Sequence, residues 1–102
     1  MSTFSEIIQK KEPVLVDFFA TWCQPCTVLA PVLKEVKDTL GEAVHIIKID
    51  VDKNQSLAAT YQIRSVPTMM LFKDGQQLWR HSGLISKEES VSYTHLTLPT
   101  KA

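Results

Sequence analysis

Hydrophobic positions along this chain change rhythm several times, and each change marks an element. Val14-Leu15-Val16-Asp17-Phe18-Phe19-Ala20 is an apolar run of strand length broken by one carboxylate, the pattern of a strand covered on both faces. Val28, Leu29, Val32, Leu33 and Val36 then recur at helical spacing, which predicts a helix with one apolar face from about Cys23 to Leu40, bent at Pro31 and ended by Gly41. A second apolar run, 44–51, comes next, and the crossover helix between the two runs makes them parallel neighbours. Residues 68–73 and 76–82 flank Asp74-Gly75, a two-residue hairpin signal. Ser2 or Thr3 caps a short first helix through Gln9, closed by Glu12-Pro13, and Asn54 is read as the cap of a short helix through Leu57 and Tyr61. The sum is an α/β chain: a mixed sheet of about four strands with helices on its faces.

Composition narrows the reading without redirecting it. The chain has 102 residues, 44% of them hydrophobic, enough for a single domain with one core. Eleven basic and eleven acidic residues cancel, so no field draws in nucleic acid or an anionic membrane. Neither a signal-peptide core nor a membrane-length apolar run is visible, from which a cytoplasmic location is expected.

The only two cysteines stand in Trp22-Cys23-Gln24-Pro25-Cys26, where a buried strand hands over to a helix. Unpaired N–H groups and the helix dipole favour a thiolate there, so Cys23 is expected to be the nucleophile. Cys26, one turn on and expected to be the more buried, suits the resolving role. Gln24 and Pro25 tune the pair, and Pro25 fits a first turn that needs no N–H from it. Half a zinc site is the competing reading of C-x-x-C, but there is no second such pair, and His45, His81 and His95 are scattered. A purely structural bridge closes too short a loop to stabilise much.

From about Pro13 to Ser86 the chain resembles a thioredoxin. The matching pieces are VDFFATWCQPC, Pro31, KIDVDKN, IRSVPT, LFKDG and Gly83, in the family's order and spacing. Gln24 stands where the family usually has Gly, and Phe19 where Trp is frequent. The family's extra N-terminal strand has too few residues to form. The resemblance implies a thioredoxin fold with helices on both faces of the sheet. It also implies a monomeric protein-disulfide reductase with no cofactor of its own, supplied with electrons from NADPH by a flavoprotein thioredoxin reductase and acting on disulfide-containing proteins. Asp17, whose apolar setting raises its pKa, matches the aspartate that helps deprotonate the resolving cysteine. Lys48, expected to face inward, matches its partner; a purely structural Asp17–Lys48 pair is the alternative. Val66-Pro67 matches a cis-proline element, with Val66 offering backbone to substrate. Trp22, Pro25, Val66, Gly83 and Leu84 make an apolar rim, whereas Trp79 is read as packing on the sheet.

An isomerase or oxidase of the same fold, or a non-catalytic interaction subunit, would share these residues. Ser86-Lys87-Glu88-Glu89 has capping-box form and predicts a final helix. The last twelve residues do not continue it: VSYTHLTLPTKA resembles an adapter-derived reading frame, so the domain is drawn as 1–90 and residues 91–102 as a non-native tail.

Overall fold

A computed structural model describes residues 3–84. Within them α1 (Phe4–Ile7), β1 (Val14–Phe19), α2 (Gln24–Leu40), β2 (His45–Asp50), α3 (Gln55–Thr60), β3 (Thr68–Lys73) and β4 (Gln76–Ser82) succeed one another, with a 3-10 turn at Gly41–Ala43 before β2. The strands form one mixed sheet in the order β2-β1-β3-β4. β1 lies parallel to β2 and antiparallel to β3, and β3 lies antiparallel to β4. The predicted final helix and the boundary at residue 90 lie outside the described residues.

Strand alternation divides the central strands between two cores. Leu15, Met69 and Leu71 point to the face covered by Leu29 and Leu33 of α2. Val14, Val16, Phe18, Met70 and Phe72 point to the opposite face, where Phe4 and Ile8 from the N-terminal segment, Leu57 from α3 and Tyr61 at its C-cap close over them. β1 and β3 are therefore apolar along nearly their whole length because each side chain, up or down, enters a core. Burying a residue of this size contributes about 1.5–3 kcal/mol. Trp79 packs against the α2 side, as the sequence suggests.

Two local readings need correction. Asn54 occupies the cap position of α3, but its side chain makes no capping bond; its Nδ2 donates instead to the Asp50 carbonyl at 2.9 Å, closing the end of β2. The first helix stops at Ile7 rather than Gln9. Its continuation is diverted by the β3–β4 turn: the Gly75 and Asp74 amides donate to the Ile8 and Lys10 carbonyls at 2.9 and 3.2 Å. Asp74 and Gly75 have φ of 52° and 81°, the left-handed pair that a tight hairpin requires.

Candidate active site

β1 ends at Phe19 and the chain turns through Ala20-Thr21-Trp22 into α2, which places both cysteines on the first turn of that helix. Cys23 is the N-cap: its Sγ accepts the backbone N–H of Cys26 at 3.1 Å. The two cysteines are joined as a disulfide with their Cα atoms 5.3 Å apart, an ordinary span for such a bridge. Pro25 falls within the first turn and is exposed, as is Gln24. Burial does not separate the two sulfurs as the sequence reading expects. The residues Cys23 and Cys26 are 4% and 7% exposed, and each lines a cleft of its own: Cys23 with Thr21, Trp22, Gln24 and Thr27, Cys26 on the α2 side of the sheet. What distinguishes Cys23 is the amide donated to its sulfur.

The Cys26 cleft, about 240 Å³, is lined by Asp17, Phe19, Ala20, Thr21, Cys26, Thr27, Ala30 and Lys48. Asp17 is 1% exposed, and its Oδ1 has no hydrogen-bond partner. Burial pushes its carboxyl up to about 6, with the charge of Lys48 acting in the opposite direction. Asp17 and Lys48 are register partners on adjacent strands. Lys48 faces this cleft, as the sequence reading expects, but it remains exposed. It lies on the outer strand of the sheet, where its long stem reaches solvent, and its Nζ stands over the Phe19 ring, 5.6 Å from the centroid.

The remaining candidates flank the disulfide. Val66–Pro67 is a cis peptide, Pro67 is buried, and Val66 packs against Ala20, Cys23 and Cys26. Gly83 donates its N–H to the Pro67 carbonyl at 2.9 Å, which ties the end of β4 to this loop. Leu84, 52% exposed, comes directly after, and Trp22 is 70% exposed. Sequence reading missed Asp52, whose Oδ2 accepts the indole Nε1–H of Trp22 at 2.9 Å from thirty positions along the chain. Also missed were Arg64 and Ser65, which join Trp22 and Val66 around a shallow cleft of about 130 Å³. The repeated acids of IDVDKN were the available signal for Asp52, but only tertiary structure selects which of them meets the indole. Among the described residues, no His, Cys, Asp and Glu side chains gather into a set able to hold a metal ion.

A family model described as Thioredoxin matches residues 1–95. The chain belongs to the thioredoxin family. Thioredoxin 1 of Synechococcus elongatus is 44% identical over 82 residues, which cover 80% of this chain and 77% of that protein. The chloroplastic thioredoxin Y of Oryza sativa is 43% identical over 91 residues, 88% of this chain. The chain spans 54% of the length of that thioredoxin and 60% of the Arabidopsis thaliana thioredoxin Y2. A bifunctional thioredoxin reductase/thioredoxin of Mycobacterium leprae is 43% identical over 86 residues, 84% of this chain and 19% of that protein. Among solved structures, a mutant thioredoxin of Halobacterium salinarum superposes with a TM-score of 0.85 at 34% identity, covering 96% of this chain and 85% of that one.

Proposed function

We propose that this thioredoxin-family chain is a protein thiol–disulfide oxidoreductase that reduces substrate disulfides. The observation that carries this is the position of Cys23: N-cap of α2, with an amide N–H already directed at its sulfur and a partner cysteine within bonding reach. In the reduced protein the same amide and the helix start favour a thiolate. That thiolate attacks one sulfur of a substrate disulfide and forms a mixed disulfide, and the substrate's other sulfur leaves as a thiolate. The Cys26 thiol then gives up its proton and attacks the Cys23 sulfur. The second substrate sulfur is released, and the protein is left with the Cys23–Cys26 bond.

Asp17 is the proposed acceptor of the Cys26 proton. It lines the same cleft with one oxygen unpartnered, and a pKa of about 6 leaves it mostly ionised, and so able to take up a proton, at neutral pH. Lys48, at the mouth of that cleft, tempers the rise. Trp22, Val66, Gly83 and Leu84 form the surface against which an extended, disulfide-bearing segment would lie, and Pro67 positions it; Gln24 and Pro25 govern the helix start and access to Cys23.

The reducing equivalents are proposed to come from NADPH through a separate thioredoxin reductase, a reading supported by the Mycobacterium leprae relative whose name joins the two activities in one protein. A reducing compartment such as the cytoplasm suits a pair that must cycle. The test is acceleration of insulin reduction by dithiothreitol, monitored as turbidity. Catalytic acceleration by wild type and none by the Cys23→Ser/Cys26→Ser protein is expected; equal rates for the two would overturn the reading.

A further inference from the structure

The segment that leaves α3 and runs to Val66 is held from β4 at two points on one face of the sheet. Thr68 lies opposite both Phe18 and Ser82, and Arg80 lies opposite Met70, so the side chains of Thr68, Ser82 and Arg80 share the face of the Phe18 core. Arg80 takes the start of the segment, its guanidinium donating to the Tyr61 and Gln62 carbonyls. Thr68 takes the end. Its Oγ1 donates to the Ser65 carbonyl at 2.7 Å and stands 3.0 Å from the Ser82 hydroxyl. Gly83 donates its N–H to the Pro67 carbonyl, and Pro67 has no N–H to return. The next pair along the ladder, Thr68 and Ser82, is then the non-hydrogen-bonded kind in which side chains come closest.

The direction of this hydroxyl chain follows from what each group can do. A carbonyl oxygen only accepts, so the Thr68 proton is committed to Ser65, and the Ser82 hydroxyl must donate to Thr68 Oγ1. Thr68 is 0% exposed, whereas Ser65 is exposed, so the Thr68 hydroxyl is what keeps the Ser65 carbonyl turned to the sheet instead of to water. The peptide that joins Ser65 to Val66 is trans and planar, and its N–H points opposite to its C=O. Fixing the carbonyl inward therefore fixes the Val66 N–H outward. Among the described residues no backbone carbonyl receives that N–H, and Ser65 and Val66 line the shallow cleft beside Trp22.

We propose that Thr68 and Ser82 are positioning residues for substrate, a role that rests on the oxidoreductase reading above: their hydroxyl chain locks the Ser65–Val66 peptide so that the Val66 N–H donates to a backbone carbonyl of an extended, disulfide-bearing segment. A donor already aimed need not be ordered when the segment arrives, which lowers the cost of docking. The two hydroxyls act through Val66 and take no part in the exchange itself. Their loss weakens capture of a polypeptide and leaves the chemistry at Cys23 as it was. A small disulfide without peptide groups makes no use of the Val66 N–H, and so separates capture from chemistry.

The test follows oxidation of the pre-reduced full chain by insulin and by dithiobis(nitrobenzoate), each over a range of concentrations, with the remaining thiols counted after acid quenching. For Thr68→Val the half-saturating insulin concentration is expected to rise about three- to tenfold, the loss of one hydrogen bond, with the limiting rate within about twofold of wild type. Its rate with the small aromatic disulfide stays within about twofold. Thr68→Ser, which keeps the hydroxyl, restores the wild-type half-saturation, and Ser82→Ala, at an exposed position, gives a rise of about two- to threefold. Unchanged half-saturation for insulin in Thr68→Val overturns the proposal. So does an equal loss with the small disulfide, or a Thr68→Ser protein no better than Thr68→Val. Should Thr68→Val not fold, Ser82→Ala decides alone, and an unchanged half-saturation there overturns the proposal. A wild type that is oxidised by neither substrate overturns the oxidoreductase reading itself and the docking role with it.

Discussion

The proposed mechanism gives unequal roles to two cysteines of the first turn of α2 that are almost equally buried. Since exposure does not separate them, the assignment rests on the amide at Cys23 Sγ and on Cys26 facing the Asp17 cleft. Cys26→Ser is accordingly expected to accumulate a mixed disulfide through Cys23 when mixed with a disulfide substrate, and Cys23→Ser to accumulate little, as read by mass spectrometry of non-reduced adducts. A dominant adduct through Cys26 would reverse the roles. Asp17 makes the second prediction. Its folded pKa is raised by burial to about 6, above the unfolded value near 4, so the unfolded state ionises first as pH rises. Wild type therefore loses stability between about pH 4 and pH 6, by on the order of 3 kcal/mol. Above that window the loss is complete and constant. Asp17→Asn should flatten this part of the profile in denaturant titrations and also remove a fall in the rate of the Cys26 step as pH drops through about 6. A wild-type curve that matches the variant across the window would count against the buried carboxylate. The raised pKa was legible in the sequence, because an acid in VLVDFF has few polar neighbours to meet. Its unpartnered oxygen and the exposure of Lys48 were not, because both depend on tertiary packing around the cleft.

Among the elements, those with a strong local signal came out nearly residue for residue, and those that depend on distant partners did not. β3, β4 and the Asp74-Gly75 turn have the predicted bounds, since alternation and left-handed turn residues are local physics. α1 ends early because the Ile8 and Lys10 carbonyls are claimed by the distant β3–β4 turn, whereas α3 starts after Asn54 as expected and only the capping bond is lost, to the Asp50 carbonyl four residues back. The C-terminus of α3 illustrates the same limit. Ile63 N–H donates to the Ala58 carbonyl at 2.9 Å and Gln62 N–H to Ala59 at 3.1 Å, the paired bonds of a Schellman cap, with Gln62 at φ 54° in the position that favours glycine. Arg80, from β4, adds its guanidinium to the Tyr61 and Gln62 carbonyls. The sequence reading carries this helix through Tyr61, its C-cap in the structure, but no glycine marks the stop, so the left-handed Gln62 was not legible. Gln62→Gly should relieve the left-handed backbone and stabilise the protein by about 0.5–1 kcal/mol, measured by urea unfolding. An unchanged or lower midpoint would mean that the Arg80 contacts already offset the strain.

On the scale of the whole molecule, the sheet carries its chemistry at one end and its most firmly tethered turn at another part of the surface. The disulfide, the Asp17 cleft and the Val66–Pro67 loop all gather where β1 gives way to α2. The β3–β4 turn is held by two amides bonded to the Ile8 and Lys10 carbonyls, and an added Cβ at Gly75 would come within 2.7 Å of the Gln9 side chain. Hairpin tips are ordinarily the places where a chain accepts foreign sequence. In this protein the tip is a buckle that fastens the N-terminal segment to the sheet, and opening it would release Phe4 and Ile8 from the aromatic core along with the turn. A short Gly/Ser epitope inserted between Asp74 and Gly75 should lower the unfolding midpoint well below that of the same epitope placed after exposed Lys53, and equal midpoints would show that the buckle bears no load. Anyone choosing where to display a peptide, attach a label or split this chain into complementing halves should therefore leave its most loop-like turn intact.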